Sequence, residues 1–195
     1  MKIDNYPSDI TETLNVVKQS AFSVDDLFML EKHLVAEGRN SELPIIYQTW
    51  IDNHASSPSL ALAYFNYACL DLTNFARAEV LLHKALELYP KFFQAHINLG
   101  NCLKRQNRVD EAMVYWRAAL QNPAIRLPKN KAVQITALNN LGQALQNNFD
   151  YHEASVFFNA SLALDQNQKD LKDLVSSLVL GRQMMRYVKA AIMLR

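Results

Sequence analysis

Residues 59–92 read SLALAYFNYACLDLTNFARAEVLLHKALELYPKF, and residues 93–126 read FQAHINLGNCLKRQNRVDEAMVYWRAALQNPAIR. Laid on each other, these 34-residue stretches place Ala78 on Ala112, Leu82 on Trp116, Ala85 on Ala119 and Leu86 on Leu120. A third copy starts near Ile135, with Gly142, Ala154, Phe158 and Leu162 at the places of Gly100, Ala112, Trp116 and Leu120. A small/large pattern at this period marks a helix–turn–helix unit. Such a unit cannot bury its apolar face alone and must stack on copies of itself. The expected fold is therefore all-α, a right-handed α-solenoid of helical hairpins, with function on the surface of the stack.

Within each unit the breaks are legible. Helix A of the first runs from about Ser59 to Leu72, turns at Thr73 and Asn74, and is followed by helix B from Ala76 to Leu88. Tyr89-Pro90 stops it, because proline cannot continue a helix. In the second unit helix A spans about Phe92 to Gln106, Asn107 turns, and Val109 to Gln121 forms helix B, closed by Asn122-Pro123. The third places its helices at about Ala132 to Asn147 and Tyr151 to Leu164. The units are thus 59–92, 93–126 and 135–168 within a segment 57–168. An insertion at 124–134 carries Pro128 and three basic residues, Arg126, Lys129 and Lys131. Most connections are shorter; it reads as a tolerated surface insertion or as a functional ridge.

Where two helix axes approach closely, a small residue is needed. Gly100 and Gly142 on helix A, with Ala78, Ala112 and Ala154 on helix B, hold such places. Glycine costs about 1 kcal/mol relative to alanine inside a helix, so its recurrence implies a steric cause. Leu82, Trp116 and Phe158 would fill the gap between units.

Upstream, residues 1–56 lack the repeat's small residues and read as a helical cap or a degenerate repeat. Asp9 to Lys18 is a short helix, and Ser23 before Asp25 and Asp26 is an N-cap with acidic first-turn residues. Leu27, Leu30, Leu34 and Val35 share one face up to Gly38, which ends the helix. Ser41 is expected to cap the next helix, with Pro44 in its first turn and Ile45, Ile46, Tyr47, Trp50 and Ile51 on its apolar side. Downstream, residues 169–195 hold an amphipathic stretch, Leu171 to Val179, and a partial repeat, Tyr187 to Leu194. The chain stops at Arg195 inside that helical pattern. The expectation is that a longer parent continues, or that a partner or a second copy covers this end.

Composition excludes several classes. Four glycines and six prolines are few for an all-β fold, and 50% hydrophobic with 20% charged residues is ordinary for a globular chain. Twenty basic against 19 acidic residues leave +1, without a nucleic-acid or anionic-membrane footprint. No apolar run approaches the ~18 residues that span a bilayer, and Met1 to Pro7 does not resemble a signal peptide; a cytoplasmic setting is expected. Cys69 and Cys102, 33 apart, read as buried thiols rather than a disulfide or metal pair. The five histidines show no metal-ligand spacing, and His96 is expected to be packed. There is no phosphate-cradling glycine loop. No catalytic constellation, metal site or cofactor is expected.

Leu99-Gly100, Ala112, Trp116 and Ala119, with Ala78, Ala85 and Pro90, resemble the tetratricopeptide repeat over Ser59 to Leu164. Departures are Asn66 where Gly is usual, a proline one place early in the second unit, and Ser161 for Ala with no proline in the third. More narrowly, Ile46 to Trp50, Ala95 to Asn101, Glu111-Ala112 and Trp116 to Ala119 resemble bacterial SPINDLY-like O-linked N-acetylglucosamine transferases, whose repeats precede a catalytic region. Leu178 to Met185, with Gly181-Arg182-Gln183, is similar to that family's segment joining repeats to catalytic domain. The nucleotide-sugar-binding domains are not in this sequence. The resemblance implies a protein-recognition arm.

It also implies where a partner would lie. In the tetratricopeptide fold helix A lines the concave surface, and there Asn98 and Asn140 are equivalent, as are Asn101 and Gln143. Amides at one-repeat intervals can donate to and accept from a peptide backbone, and in the transferase family an asparagine ladder at these positions holds protein substrates. Lys104, Arg105, Gln146 and Asn147 continue the face, and Tyr67 is a further candidate; Tyr64 stands at the ladder position of the first unit. The carboxylate clamp of chaperone-type tetratricopeptide domains does not fit, because Ala63, Tyr67, Asn98, Thr136 and Asn140 leave three of its basic residues missing.

Overall fold

A computed structural model of the chain describes residues 6–70 and 74–178. It forms two compact units, Met1–Ala95 and His96–Arg195. All regular structure among the described residues is helical.

The first unit begins with α1 (Ile10–Val17), α2 (Val24–Ala36) and α3 (Leu43–Asn53). Asp9 caps α1 by accepting from the amides of Thr11 and Glu12 at 2.8 and 3.1 Å. Ser23 and Asp26 cap α2 reciprocally: the Asp26 amide donates to Ser23 Oγ and the Ser23 amide to Asp26 Oδ2. Gly38, at φ +74, ends α2 with the Arg39 amide donating back to the Leu34 carbonyl at 2.8 Å. The expected cap at Ser41 is not formed. Ser41 lies in a short 3₁₀ turn, Asn40–Glu42, and α3 starts without a side-chain cap. Arg39 holds that turn instead, its guanidinium donating to both oxygens of Glu42 at 2.8 Å. Pro44 does lie in the first turn of α3, where its missing N–H has no helical partner to lose.

The apolar faces of these helices bury Leu27, Leu30, Leu34, Ile46, Tyr47 and Trp50 almost completely. Trp50 Nε1 donates to the Phe22 carbonyl at 3.0 Å, tying α3 to the α1–α2 turn. The Tyr47 hydroxyl donates to Glu31; burial and that neighbouring carboxylate hold the phenol well above its usual range. The ring of Tyr47 stacks on Tyr67 of α4 (Leu60–Leu70), at 5.7 Å between centroids. Helix α5 (Phe75–Leu88) returns along α4, capped by Asn74 and ended at Tyr89-Pro90.

The second unit holds most of α6 (Phe93–Arg105), with α7 (Val109–Gln121), α8 (Lys131–Asn147) and α9 (Tyr151–Leu164). A further helix, α10, begins at 169 and continues through 178. The partial repeat at Tyr187 to Leu194 lies outside the described residues. Asn107 turns α6 into α7 at φ 62, and Phe149 does the same between α8 and α9 at φ 64.

The repeating small/large pattern has a direct steric basis here. A Cβ on Gly100 would sit 2.5 Å from Trp116 Nε1, and one on Gly142 would sit 2.5 Å from Phe158 Cε1. Both aromatic rings are fully buried and have no room to swing away. Gly142→Ala therefore gains about 1 kcal/mol of helix propensity against an overpacking cost of about 1–3 kcal/mol or more at so short a contact. The expected net result is a loss near 2 kcal/mol. A thermal melt should show a Tm lower by about 5 °C, and adding Phe158→Leu to the same chain should recover most of it.

The insertion is more ordered than its composition suggests. Residues 131–134 are the first turn of α8, one residue earlier than expected, and two 3₁₀ turns (Pro123–Arg126 and Pro128–Asn130) take up the rest. Ile125 is completely buried, Asn122 Oδ1 accepts from the Ala124 amide, and Asn130 Nδ2 donates to the Ala124 carbonyl at 2.7 Å. The missing proline and the buried Ser161 of the third repeat also find a reason. Gln168 Nε2 donates to Ser161 Oγ and to the carbonyls of Ser161 and Asp165, and Gln168 Oε1 accepts from Asn139 of α8 at 2.9 Å. One amide closes the end of α9 and ties it to α8.

Candidate functional site

The helix-A residues singled out in the sequence divide between the units. Asn98, Asn101, Lys104 and Arg105 lie on α6, and Asn140, Gln143 and Asn147 on α8, all in the second unit. Tyr67 lies in the first unit and is 7% exposed, stacked on Tyr47 with the Arg77 guanidinium 5.7 Å above its ring. Its ring is packed core rather than surface. Tyr64, at the corresponding ladder position, has Lys84 Nζ 5.3 Å over its ring.

On the second unit α6 and α8 are joined through side-chain amides. Asn140 Nδ2 donates to Asn101 Oδ1 at 2.8 Å, and Asn140 Oδ1 accepts from Lys104 Nζ at 3.2 Å. Asn101 Oδ1 also accepts from Trp116 Nε1 at 3.2 Å, and the Lys104 ammonium lies 5.9 Å over the same indole. The chain Trp116–Asn101–Asn140–Lys104 thus links α7, α6 and α8. Asn98, Asn101, Asn140 and Gln143 are half-buried; Lys104, Arg105 and Asn147 are exposed.

Asn101 and Gln143, equivalent by register, do different work. The difference follows the large residue of each repeat. Trp116 has an N–H that must be satisfied when buried, and Asn101 supplies the acceptor. Phe158, at the same place in the next repeat, has none. Gln143 is released from that duty and donates instead to Gln146 and Asn147 of its own helix, both at 3.2 Å. A tryptophan at one large position and a phenylalanine at the other was the only signal in the sequence for this difference.

The arrangement suits hydrogen bonding rather than bond-making. Asn140 has one amide hydrogen and one lone pair left after its two contacts, which matches what a peptide group offers. Among the described residues no group of His, Cys, Asp or Glu is placed to hold a metal ion, and no helix is long and apolar enough to cross a membrane. No disulfide joins the cysteines; Cys102 is buried and Cys69 half-buried. His96 packs its ring 5.9 Å from that of Tyr115. The carboxyls of Glu111 and Glu153 are held below their usual range by hydrogen bonds from Arg108 and Arg117, an arrangement of surface pairs.

Comparison with known proteins agrees with the helical-repeat fold. Two tetratricopeptide-repeat family models match, one over residues 70–123 and the other over 135–164, so both stretches are tetratricopeptide repeats. No curated protein matches the sequence. Among solved structures, the chain is similar to BtubC from P. vanneervenii (TM-score 0.66, 17% identity, covering 94% of this chain and 89% of that one). It is also similar to Pseudomonas aeruginosa PilF (TM-score 0.63, 20% identity, 88% and 71%) and to MamA (TM-score 0.62, 17% identity, 83% and 92%). At these identities the likeness is one of fold, and it places the chain among α-solenoids of tetratricopeptide hairpins.

Proposed function

We propose that the tetratricopeptide repeats of this chain form a protein-interaction module that holds an extended segment of a partner on the α6–α8 face of the second unit. The observation that carries this is the amide chain across those helices. Asn140, half-buried and fixed by Asn101 and Lys104, keeps one further donor and one further acceptor, with Asn98, Gln143 and Asn147 on the same two helices. Amides are poor helix-interior residues unless something uses them. A surface of this kind recognises peptide backbone with little regard to side chains, so a range of partners is expected.

The test is selection of binding peptides from a displayed random library against the whole chain. Selected peptides should lose about tenfold in affinity, a change near 1.4 kcal/mol, on Asn98→Ala combined with Gln143→Ala. A melting temperature measured on the same variant separates loss of the binding face from loss of the fold. Unchanged affinity in that variant would reject the α6–α8 face.

A narrower reading, that the module is the recognition arm of a SPINDLY-like glycosyltransferase, rests on the residue resemblance alone. A glycosyltransferase region encoded in continuity with these repeats supports it; repeats carried without one favour a free-standing adaptor or scaffold.

A further inference from the structure

The near-neutral whole conceals two oppositely charged units. Residues 1–95 hold 7 Lys and Arg against 12 Asp and Glu, a net of −5; residues 96–195 hold 13 against 7, a net of +6. Between Glu111 and Asp150 the sequence has no carboxylate at all. The two glutamates beside that gap are engaged, Glu111 with Arg108 at 2.6 Å and Glu153 with Arg117 at 2.8 Å.

What is left over is concentrated in the turn before α8. Arg126, Lys129 and Lys131 are exposed, with Leu127 between them 47% exposed, and none of the three cations meets a carboxylate among the described residues. The turn is not loose, because buried Ile125 and the contacts of Asn122 and Asn130 fix its backbone. Cations held in a fixed turn lose less entropy on binding than those on a mobile loop.

On the first unit a groove of about 590 Å³ runs between the start of α2 and the end of α3. Asp25 and Asp52 line it, together with Ser23, Asn53, His54 and the edge of Trp50, and no Lys or Arg does. We infer that the basic turn 126–131 of one chain docks into this groove on a second copy, giving head-to-tail self-association. A second copy is favoured over another acidic partner because the two charges are nearly matched and are always present together on the same chain. Complementary potentials steer and register such contacts. A contact between different surfaces leaves one turn and one groove open at each end, so assembly continues unless a ring closes.

The contact should be sensitive to salt, since the screening length falls from about 10 Å at 0.1 M to about 3 Å at 1 M. Sedimentation of the whole chain at about 50 mM salt should give a mass that rises with concentration past twice the 22.3 kDa monomer, collapsing to monomer near 1 M. Arg126→Glu with Lys129→Glu should be monomeric at low salt with an unchanged melting temperature. Mixed with a chain carrying Asp25→Lys and Asp52→Lys, itself monomeric, it should recover assembly with the two chains in equal proportion, because each turn then meets a groove of opposite charge on the other chain. Assembly that survives the reversal, or reversed partners that fail to meet although both are folded, would overturn the proposal. So would a chain that stays monomeric at low salt and instead binds a poly-glutamate peptide through the turn.

Discussion

Trp50→Ala is expected to destabilise the first unit by about 4 kcal/mol, and Trp50→Phe by about 1–2 kcal/mol. The ring is 1% exposed on α3, a helix that packs on both α1 and α2, so truncation leaves a cavity in the core of the unit. Truncation also removes the hydrogen bond to the Phe22 carbonyl and the flat face on which His54 stacks at 4.6 Å. His54 in turn contacts the carbonyls of Trp50 and Gln19 through its two ring nitrogens, at 2.8 and 3.0 Å. Phenylalanine refills most of the volume but leaves the Phe22 carbonyl without its donor, which accounts for the smaller loss. Urea titration followed by far-UV circular dichroism measures both. Only two tryptophans are present, one per unit, so indole fluorescence of either variant reports Trp116 alone. An Ala variant as stable as the Phe variant would mean that the cavity collapses at no cost.

The parts of this fold that were readable in advance are those fixed by neighbours within one turn. Ser23 with Asp26, Gly38 at the end of α2, and Tyr89-Pro90 at the end of α5 each act over three or four residues. The 34-residue period exposes the small and large positions because it repeats, but not their pairing: Trp116 and Phe158, expected to fill the gap between units, meet Gly100 and Gly142 within their own hairpins. What escaped reading depends on single, unrepeated partners. Ser41 looks like a cap, but the fork of Arg39 on Glu42 selects a 3₁₀ turn and makes a cap unnecessary. Tyr67 sits on helix A like the other candidates, yet Tyr47 of the preceding hairpin covers it. Gln168 lies four residues beyond α9, and nothing local tells that it will reach Ser161 and Asn139. The same limit applies at the candidate site. Register makes Asn101 and Gln143 equivalent, while their partners differ: Asn101 accepts from Trp116, and Gln143 donates within its own helix.

Trp116 is where stability and the candidate site meet, and two substitutions separate them. Trp116→Ala should cost the second unit about 4 kcal/mol, because a fully buried indole is lost from the contact of α7 with Gly100. Trp116→Phe should cost only about 1 kcal/mol. The third repeat already shows a phenylalanine, Phe158, lying against a helical glycine in the equivalent place, so the ring fits. What the Phe variant removes is the N–H that occupies Asn101 Oδ1, along with part of the aromatic face beneath Lys104. Asn101 then gains an acceptor site and Lys104 loses a support, while Asn140 keeps its contacts to both. Peptides selected on the α6–α8 face should therefore change affinity by several-fold in Trp116→Phe, with a cation-sensitive fraction that differs from wild type in its salt dependence. Calorimetric titration of those peptides at two salt concentrations measures the change. If the Phe variant melts close to wild type and binds every selected peptide identically, Asn101 and Lys104 serve packing alone, and recognition rests on Asn98, Asn140 and Gln143.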